Sequence, residues 1–228
     1  QILGFLGPNG AGKSTTMKML TGFLTPTTGT ALVNGVDVVE NSVAACSTIG
    51  YLPEGAPSYG EMTVLQFMTF IARARSIDKS CLSETVEQTI GKLNLTDVKH
   101  QVIETLSKGF RRRVGLAQAI IHDPQILILD EPTDGLDPNQ KREVRQLIRD
   151  MSKDKIIIIS THILEEVAAL CNRVMIIAHG KLLADDSPDD LIKRSRYHNA
   201  VSLVVESAEK VASILSELPQ VRRAELKE

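Results

Sequence analysis

The chain has 228 residues, of which 43% are hydrophobic and 24% are charged, and this composition excludes a collagen, a coiled-coil rod or a wholly disordered chain. Lysine and arginine number 26 against 28 acidic residues, so a formal net charge of −2 provides no global basic field for nucleic acid or anionic lipid. The three cysteines form no CxxC pair, which argues against a structural zinc site or a disulfide framework.

Short apolar, β-branched runs alternate with longer helical patterns, which is typical of an α/β protein with a mainly parallel sheet. In chain order, strands are predicted at residues 2–6, 30–33, 48–52, 126–129, 155–160 and 174–178. Helices are predicted at residues 12–21, 110–122, 138–151 and 162–171. Residues 63–95 are helical without a strand signal, and they predict an inserted helical subdomain of about residues 60–122.

The end of the chain has a pattern of its own. A strand at residues 200–205, a helix at 208–218 and a possible second strand at 221–226 predict a βαβ piece. A piece of this size buries little core by itself. We therefore expect one domain at residues 1–195, followed at 196–228 by the start of a small C-terminal domain or an ordered tail.

The segment GPNGAGKS at residues 7–14 matches the phosphate-binding pattern GxxxxGK[ST] and lies between a predicted strand and a predicted helix. Glycines let backbone N–H groups point at a phosphate, and the helix N-terminus adds a partial positive charge. We expect Lys13 to reach the β- and γ-phosphates and Ser14 to offer its hydroxyl to Mg²⁺. A glycine-rich turn without a ligand is the less favoured alternative. The predicted ATP-binding residues are Asn9, Gly10, Ala11, Gly12, Lys13, Ser14 and Thr15.

A second motif follows the apolar run at residues 126–129, which delivers Asp130 and Glu131 to the carboxyl end of a buried strand. Ligands of open α/β sheets bind at this end. We expect Asp130 to hold a metal ion directly or through water, and Glu131 to polarise the attacking water as a general base. A strand that ends in acidic residues is common, but the phosphate-binding loop in the same chain favours the functional interpretation.

Four further motifs resemble those of ATP-binding-cassette (ABC) ATPases and occur in the order of that family. The sequence LSKGF at residues 106–110 resembles the signature motif, and DGLD at 134–137 resembles the D-loop, in which Asp137 is the last residue. His162 lies at the position of the switch histidine, and YLPE at 51–54 lies where the Q-loop falls. The chain is therefore similar to ABC ATPases over most of its length.

The resemblance implies a dimer of two cassettes, identical or different, that pack head to tail with each ATP between one phosphate-binding loop and the partner's signature. It implies that Ser107, Lys108 and Gly109 bind the ATP of the partner subunit. ATP then closes the dimer and hydrolysis reopens it. His162 is expected to contact the γ-phosphate and to help position Glu131 and water, a capping or core histidine being the minor alternative.

The motifs also depart from the usual pattern. Lys108 replaces a glycine of the signature, Phe110 replaces its glutamine, and Glu54 replaces the glutamine of the Q-loop. We expect Glu54 to ligate Mg²⁺ together with Ser14 and Asp130, because a carboxylate is a Mg²⁺ ligand. These variants resemble an export-type subgroup, the drug-resistance and gliding-motility ATPases that pair with a separate membrane permease.

The expected function is therefore that of an ATP- and Mg²⁺-dependent ATPase at the cytoplasmic face of a membrane, which drives an exporter through a separate permease. A non-transport ABC ATPase of the translation or DNA-repair type is the alternative, although residues 13–107 hold no sustained heptads of the repair type. A small-molecule kinase would leave the signature and D-loop unexplained. The basic run at residues 111–113 is interpreted as a solvated, structural or phosphate-proximal feature, and no nucleic acid is expected.

The first residues already have the pattern of a buried strand, from which a trimmed N-terminus is expected. The resembled family stacks adenine on an aromatic residue upstream of the phosphate-binding loop, and the sequence begins too late to contain it. Weakened affinity for ATP is the resulting expectation.

Overall fold

The computed structural model describes residues 1–55, 59–194, 208–216, 219 and 221. Two compact units are distinguished, Gln1–Leu191 and Ile192–Glu228. The strands are β1 (Ile2–Leu6), β2 (Leu32–Val33), β3 (Val36–Asp37), β4 (Ile49–Leu52), β5 (Ile126–Asp130), β6 (Ile156–Thr161), β7 (Arg173–Ala178) and β8 (Lys181–Asp186). The α-helices are α1 (Lys13–Leu20), α2 (Ser42–Ser47), α3 (Val64–Ala74), α4 (Leu82–Lys92), α5 (Lys108–Ile120), α6 (Pro138–Met151), α7 (Leu164–Leu170), α8 (Pro188–Arg194) and α9 (Ala208–Ser216).

A six-stranded sheet in the order β4-β5-β6-β1-β7-β8 forms the centre of the first unit. The first five strands in this order are parallel, and β8 runs antiparallel to β7 at the edge. This arrangement confirms the prediction of an α/β fold with a mainly parallel sheet. Because parallel strands end at the same edge, the residues that follow β1, β4, β5 and β6 come together there.

The apolar runs of the central strands are long because both faces of the sheet are covered. On β5, Leu127 and Leu129 are fully buried on one face, whereas Ile128 packs on the other face against Phe5 and Met17. The strand is therefore held from both sides, and its last residue, the predicted metal ligand Asp130, is 1% exposed.

The predicted helical stretch at residues 63–95 consists of two helices, α3 and α4, which pack with α5. Phe67, Met68 and Ile90 form the core between them and are almost completely buried. A capping box starts α3: the Thr63 hydroxyl accepts from the Gln66 N–H, and the Gln66 side chain accepts from the Thr63 N–H. Both contacts satisfy N–H groups that have no partner within the helix.

Several boundaries differ from the prediction. Helix α5 begins at Lys108 rather than at residue 110, because the Ser107 hydroxyl accepts from the Phe110 N–H and caps the helix. Strand β2 is shorter than predicted, although the expected tight turn follows it, with positive φ at Asn34 and Gly35. Strand β3, helix α2 and strand β8 have no counterpart among the predicted elements.

In the second unit, the predicted helix at residues 208–218 corresponds to α9. The strand predicted at 200–205 lies outside the described residues, as does the one predicted at 221–226 apart from its first residue. Across the described part of the chain, every helix is too short or too polar to span a bilayer.

Candidate functional site

The phosphate-binding loop joins β1 to α1 and is shaped by glycine. Gly12 has φ +106°, a conformation that L side chains rarely adopt, and a Cβ atom at Gly7 would lie 2.3 Å from the carbonyl oxygen of Ile177. The Lys13 side chain is buried, and its Nζ donates to the carbonyl oxygens of Gly7 at 2.7 Å and Pro8 at 3.2 Å. The lysine is thus held over the loop by two residues of that same loop.

A cleft of about 540 Å³ opens beside this loop, a volume within the usual range for small-molecule sites. It is lined by Asn9, Gly10, Gly12, Lys13, Ser14, Thr15, Glu54, Glu131, Asp134 and His162. Residues that are distant in sequence thereby meet at the carboxyl edge of the sheet. All but Asp134 were predicted as site residues, whereas the predicted Ala11 and Asp130 are buried and do not line the cleft.

Asp130 lies at the end of β5, and its two carboxylate oxygens have different surroundings. Oδ1 accepts a hydrogen bond from the Ser160 hydroxyl, whereas Oδ2 is buried and has no partner among the described residues. A buried carboxylate oxygen without a hydrogen-bond partner destabilises the fold, and a bound cation would provide it with a partner. The described residues contain no cluster of three or more His, Cys, Asp or Glu side chains that could hold a metal ion. Phosphate oxygens and water would therefore have to complete a Mg²⁺ sphere, as is usual for this ion.

Glu131 and His162 form a pair at the cleft, with the Glu131 Oε1 atom 2.8 Å from the His162 Nδ1 atom. The Glu131 side chain is 17% exposed and that of His162 is 43% exposed. The backbone of Glu131 has φ +49°, which is uncommon for a residue other than glycine, and its N–H donates to the Ser160 carbonyl at 3.1 Å. Such conformations are frequent at functional sites, where surrounding contacts maintain them.

Tyr51 on β4 extends this acidic region. Burial, followed by the nearby charges of Asp130 and Glu54, raises the pKa of Tyr51 to about 12, so its phenol stays protonated. Its hydroxyl oxygen is buried and lacks a hydrogen-bond partner among the described residues. Sequence reasoning did not identify this residue, because a tyrosine in a strand is usually a packing residue.

The signature residues do not line the cleft of their own chain. Ser107 and Lys108 are exposed, and Lys108 Nζ forms an ion pair of 2.9 Å with Asp134 Oδ2, which holds the pKa of Asp134 below its usual range. Gly109 is covered by Gln140, with whose side-chain oxygen a Cβ atom at Gly109 would collide at 2.3 Å. The predicted D-loop residue Asp137 caps α6 by accepting from the Gln140 N–H at 2.9 Å.

The three consecutive arginines on α5 have different environments. Arg111 is exposed, whereas Arg112 and Arg113 are only 8% and 9% exposed. Arg113 forms an ion pair of 2.8 Å with Glu143. A structural role, one of those predicted for this run, therefore fits the buried Arg112 and Arg113, whereas a solvated face describes only Arg111.

Glu166 on α7 is a buried carboxylate, 4% exposed, that the sequence analysis missed. It accepts hydrogen bonds from the hydroxyls of Thr133 and Thr161. In the sequence, Thr133 is two residues after Glu131, and Thr161 directly precedes His162. The cationic groups of Lys141 and Arg145 lie 3.6 Å from its Oε1 atom. Glu166 thus ties together the two loops that carry the Glu131–His162 pair.

A parallel sheet with a phosphate-binding loop, a buried aspartate and a glutamate–histidine pair at its carboxyl edge defines a P-loop nucleoside triphosphatase. The sequence pattern of the ABC transporter family matches residues 1–134, more than half of the chain. The chain therefore belongs to the ABC transporter family, and the prediction of an ABC ATPase cassette is confirmed.

Relatives agree with this assignment. The chain is 39% identical over 196 residues to the probable multidrug ABC transporter ATP-binding protein YbhF of Escherichia coli, a match that covers 86% of the chain but only 34% of that protein. It is 35% identical over 221 residues to the uncharacterized ABC transporter ATP-binding protein YxlF of Bacillus subtilis, covering 97% of the chain and 72% of that protein.

Solved structures give the same result. A structure described as the ATP binding subunit of an ABC transporter has a TM-score of 0.78 at 26% identity, covering 95% of this chain and 88% of that one. The cbiO1 protein of Clostridium perfringens, described as part of the ABC transporter complex cbiONQ, has a TM-score of 0.75 at 26% identity and covers 85% of this chain and 80% of its own.

Proposed function

We propose that the chain is the ATP-hydrolysing subunit of an ABC exporter and drives a separate membrane permease. The Glu131–His162 pair carries this proposal, because its carboxylate lines the same cleft as Lys13 of the phosphate-binding loop. A carboxylate held in this way is suited to accept a proton from an attacking water. Similarity to a probable multidrug transporter ATP-binding protein supports the direction of transport.

Binding of ATP is assigned to the phosphate-binding loop. Lys13 and the backbone N–H groups at the start of α1 bind the phosphates, since the helix N-terminus favours negative charge. Ser14, Asp130 and Glu54 are proposed to hold Mg²⁺, which when bound neutralises phosphate charge. The unpaired buried Oδ2 atom of Asp130 supports this assignment.

Hydrolysis is assigned to Glu131 and His162. Glu131 accepts the proton of the attacking water, and the hydrogen bond that its Oε1 atom accepts from His162 Nδ1 orients the carboxylate toward the cleft. The imidazole donates this hydrogen bond from Nδ1, so its other ring nitrogen is available to the phosphate. Glu131 thus transfers the proton, and His162 orients the Glu131 carboxylate.

The signature is proposed to act in a dimer. Ser107, Lys108 and Gly109 lie outside the cleft of their own chain, and the first two are exposed, which supports contact with the ATP of a second ABC subunit. Asp137 lies in the adjoining D-loop and would contact the same partner. The permease would dock on the helical subdomain, which places the chain peripherally at the cytoplasmic face of a membrane.

Recovery of the protein from its source membranes tests this proposal. Tagged protein is purified from a detergent extract, and its ATPase rate is compared before and after the associated proteins are removed. A multi-span protein that co-purifies and stimulates hydrolysis is the expected result, with Lys13→Ala as a control for stimulation through ATP binding. Association with ribosomes or DNA-processing proteins instead would contradict the transport role and favour the non-transport class.

A further inference from the structure

Arg112 lies at the point where α5, the end of β5 and the loop after β4 meet. Its guanidinium donates to four backbone carbonyl oxygens, those of Pro53, Asp130, Glu131 and Pro132, at 3.1 Å to Pro53 and 3.4 Å to Pro132. A guanidinium has five N–H donors in a rigid plane, so one side chain can satisfy several acceptors at once. Arg112 uses this capacity on backbone rather than on carboxylates.

Three of these carbonyls belong to the consecutive residues Asp130, Glu131 and Pro132. They lie at the last residue of β5 and just beyond it, where the regular strand ends, and the Glu131 carbonyl also accepts from the Asp134 N–H at 3.1 Å. Glu131, in the middle of the three, has φ +49°. Its N–H donates to the Ser160 carbonyl. Arg112 binds the carbonyl of Glu131 and the carbonyls of the residues before and after it. The unusual backbone conformation is therefore fixed from both ends of the residue.

The fourth carbonyl, that of Pro53, directly precedes Glu54, the acidic residue of the Q-loop. Arg112 thus connects the backbone beside two carboxylates of the cleft, although the segments that carry them are more than 70 positions apart in the sequence. Glu54 and Glu131 line the cleft, whereas Arg112 does not. Burial lowers the pKa of Arg112, while the surrounding carboxylates, Asp134 first, raise it.

We infer that Arg112 is a positioning residue for hydrolysis: it holds the backbone of Glu131 and of the Q-loop so that their carboxylates face the bound nucleotide. This inference rests on the proposed role of Glu131 as the general base. Arg112 does not line the cleft, and it acts through the residues that it binds. A displacement of about 1 Å of a catalytic group lowers a rate by up to about a hundredfold.

The neighbouring arginines provide matched controls. Arg113 is equally buried on the same helix but contacts Glu143 and the Leu93 carbonyl, away from the cleft. Arg111 is exposed. Substitution of each arginine by glutamine removes the same charge from the same helix, and only Arg112→Gln removes contacts to Glu131 and to the Q-loop.

The experiment measures kcat, KM and direct ATP binding for the three glutamine variants, together with Glu131→Gln and the double variant Arg112→Gln/Glu131→Gln. We expect Arg112→Gln to lower kcat roughly tenfold to hundredfold while ATP affinity stays within about threefold of the wild type. In the Glu131→Gln background it should have almost no further effect on kcat, because a positioning residue acts through its target. Arg113→Gln and Arg111→Gln should retain kcat.

Two results would overturn the inference. One is a wild-type kcat in Arg112→Gln, and the other is that Arg112→Gln lowers kcat by the same factor in the wild type and in the Glu131→Gln variant. If Arg112→Gln does not fold, Arg112→Lys is measured instead. It keeps the charge but cannot reach four carbonyls, so the same lowered kcat with intact binding is expected, and a wild-type kcat would overturn the inference. Intact hydrolysis in Glu131→Gln would instead refute the proposed general base.

Discussion

The two sides of the nucleotide cleft are built in different ways. The phosphate-binding loop is held mostly by its own segment: Lys13 donates to Gly7 and Ala11 donates to Pro8, with one bond from outside, from the Gly180 N–H to the Ala11 carbonyl. The proposed catalytic side depends on distant residues, since Glu131 is held by Ser160, 29 positions away, and contacts His162, 31 positions away. A contiguous motif therefore encodes phosphate binding, whereas the catalytic geometry depends on the packing of the whole sheet.

This contrast implies that binding and hydrolysis can be separated by substitution. Changes in the loop should affect ATP affinity, and changes on the catalytic side should affect turnover.

Glu131→Gln should have the largest effect. Loss of the proposed general base should lower hydrolysis about 10²- to 10⁴-fold, while ATP binding is retained because the phosphate-binding loop is unchanged. Size-exclusion chromatography with saturating ATP should then show a dimer that accumulates. Glu104→Gln, at an exposed position, serves as the control, and a variant that stays monomeric under these conditions would contradict the proposed dimer mechanism.

Lys13→Ala should impair the other function, the binding of ATP. Removal of charge-assisted hydrogen bonds worth about 1.5–3 kcal/mol should weaken ATP binding by roughly tenfold to a hundredfold. Isothermal titration calorimetry with ATP and magnesium measures this loss. Lys18→Ala changes an exposed lysine of the same helix and should bind normally. Equal affinities for the two variants would disprove the assignment of Lys13 to the phosphates.

Glu166→Gln should lower turnover about tenfold by loosening the loops of Thr133 and Thr161, which follow and precede the catalytic pair. Because the buried Glu166 side chain would lose its charge beside the partly buried cations Lys141 and Arg145, the free energy of unfolding should also fall by about 1–3 kcal/mol. Urea unfolding and ATPase assays check both effects. The exposed neighbour Glu165→Gln should change neither, and an unaltered Glu166→Gln protein would show that the two loops are positioned independently.

Glu54→Gln tests whether the Q-loop carboxylate belongs to the metal site. Loss of one negative ligand should raise the magnesium concentration needed for half-maximal hydrolysis by several-fold. A magnesium titration at fixed ATP gives this value. An unchanged midpoint together with an unchanged rate would remove Glu54 from the proposed ligands.

The smallest effect concerns His122, which lies outside both sides of the cleft. Burial, followed by the charge of Arg75, lowers the pKa of His122 from 6.5 to about 4. The unfolded chain therefore takes up a proton at His122 below about pH 6.5 that the native state does not accept until about pH 4. Stability should fall over this interval as the pH decreases. Urea unfolding should show a shallower decline for His122→Gln, and identical pH profiles would contradict this source of the pH dependence.

Much of the fold could be predicted because its signals are local. The apolar run at residues 126–129 and the helix Pro138–Met151 with its capping Asp137 follow from pattern and capping alone. Other elements carry weak local signals: α2 has only six residues, and β8 lies at the sheet edge with exposed leucines. The start of α5 was misplaced because its cap is Ser107, a residue interpreted as part of the signature.

The same distinction applies to the site. The phosphate-binding loop, Asp130 and Glu131 follow a recognisable motif or strand, and His162 directly follows β6. Glu166 was not predicted, and Arg112 was not distinguished from the other arginines of its run, because nothing next to them in the sequence separates a buried charged residue from an exposed one on a charged helix. Their environment is determined by contacts between elements that only the folded chain brings together.

Tyr51 has a practical consequence for following this chemistry. The sequence contains no tryptophan and three tyrosines, so tyrosine absorption and emission are not masked in the near ultraviolet. Tyr51 is placed beside Asp130 and Glu54, whose charges act directly on its phenol. We therefore expect cation binding at this acidic cluster to change the tyrosine emission of the unlabelled wild-type chain.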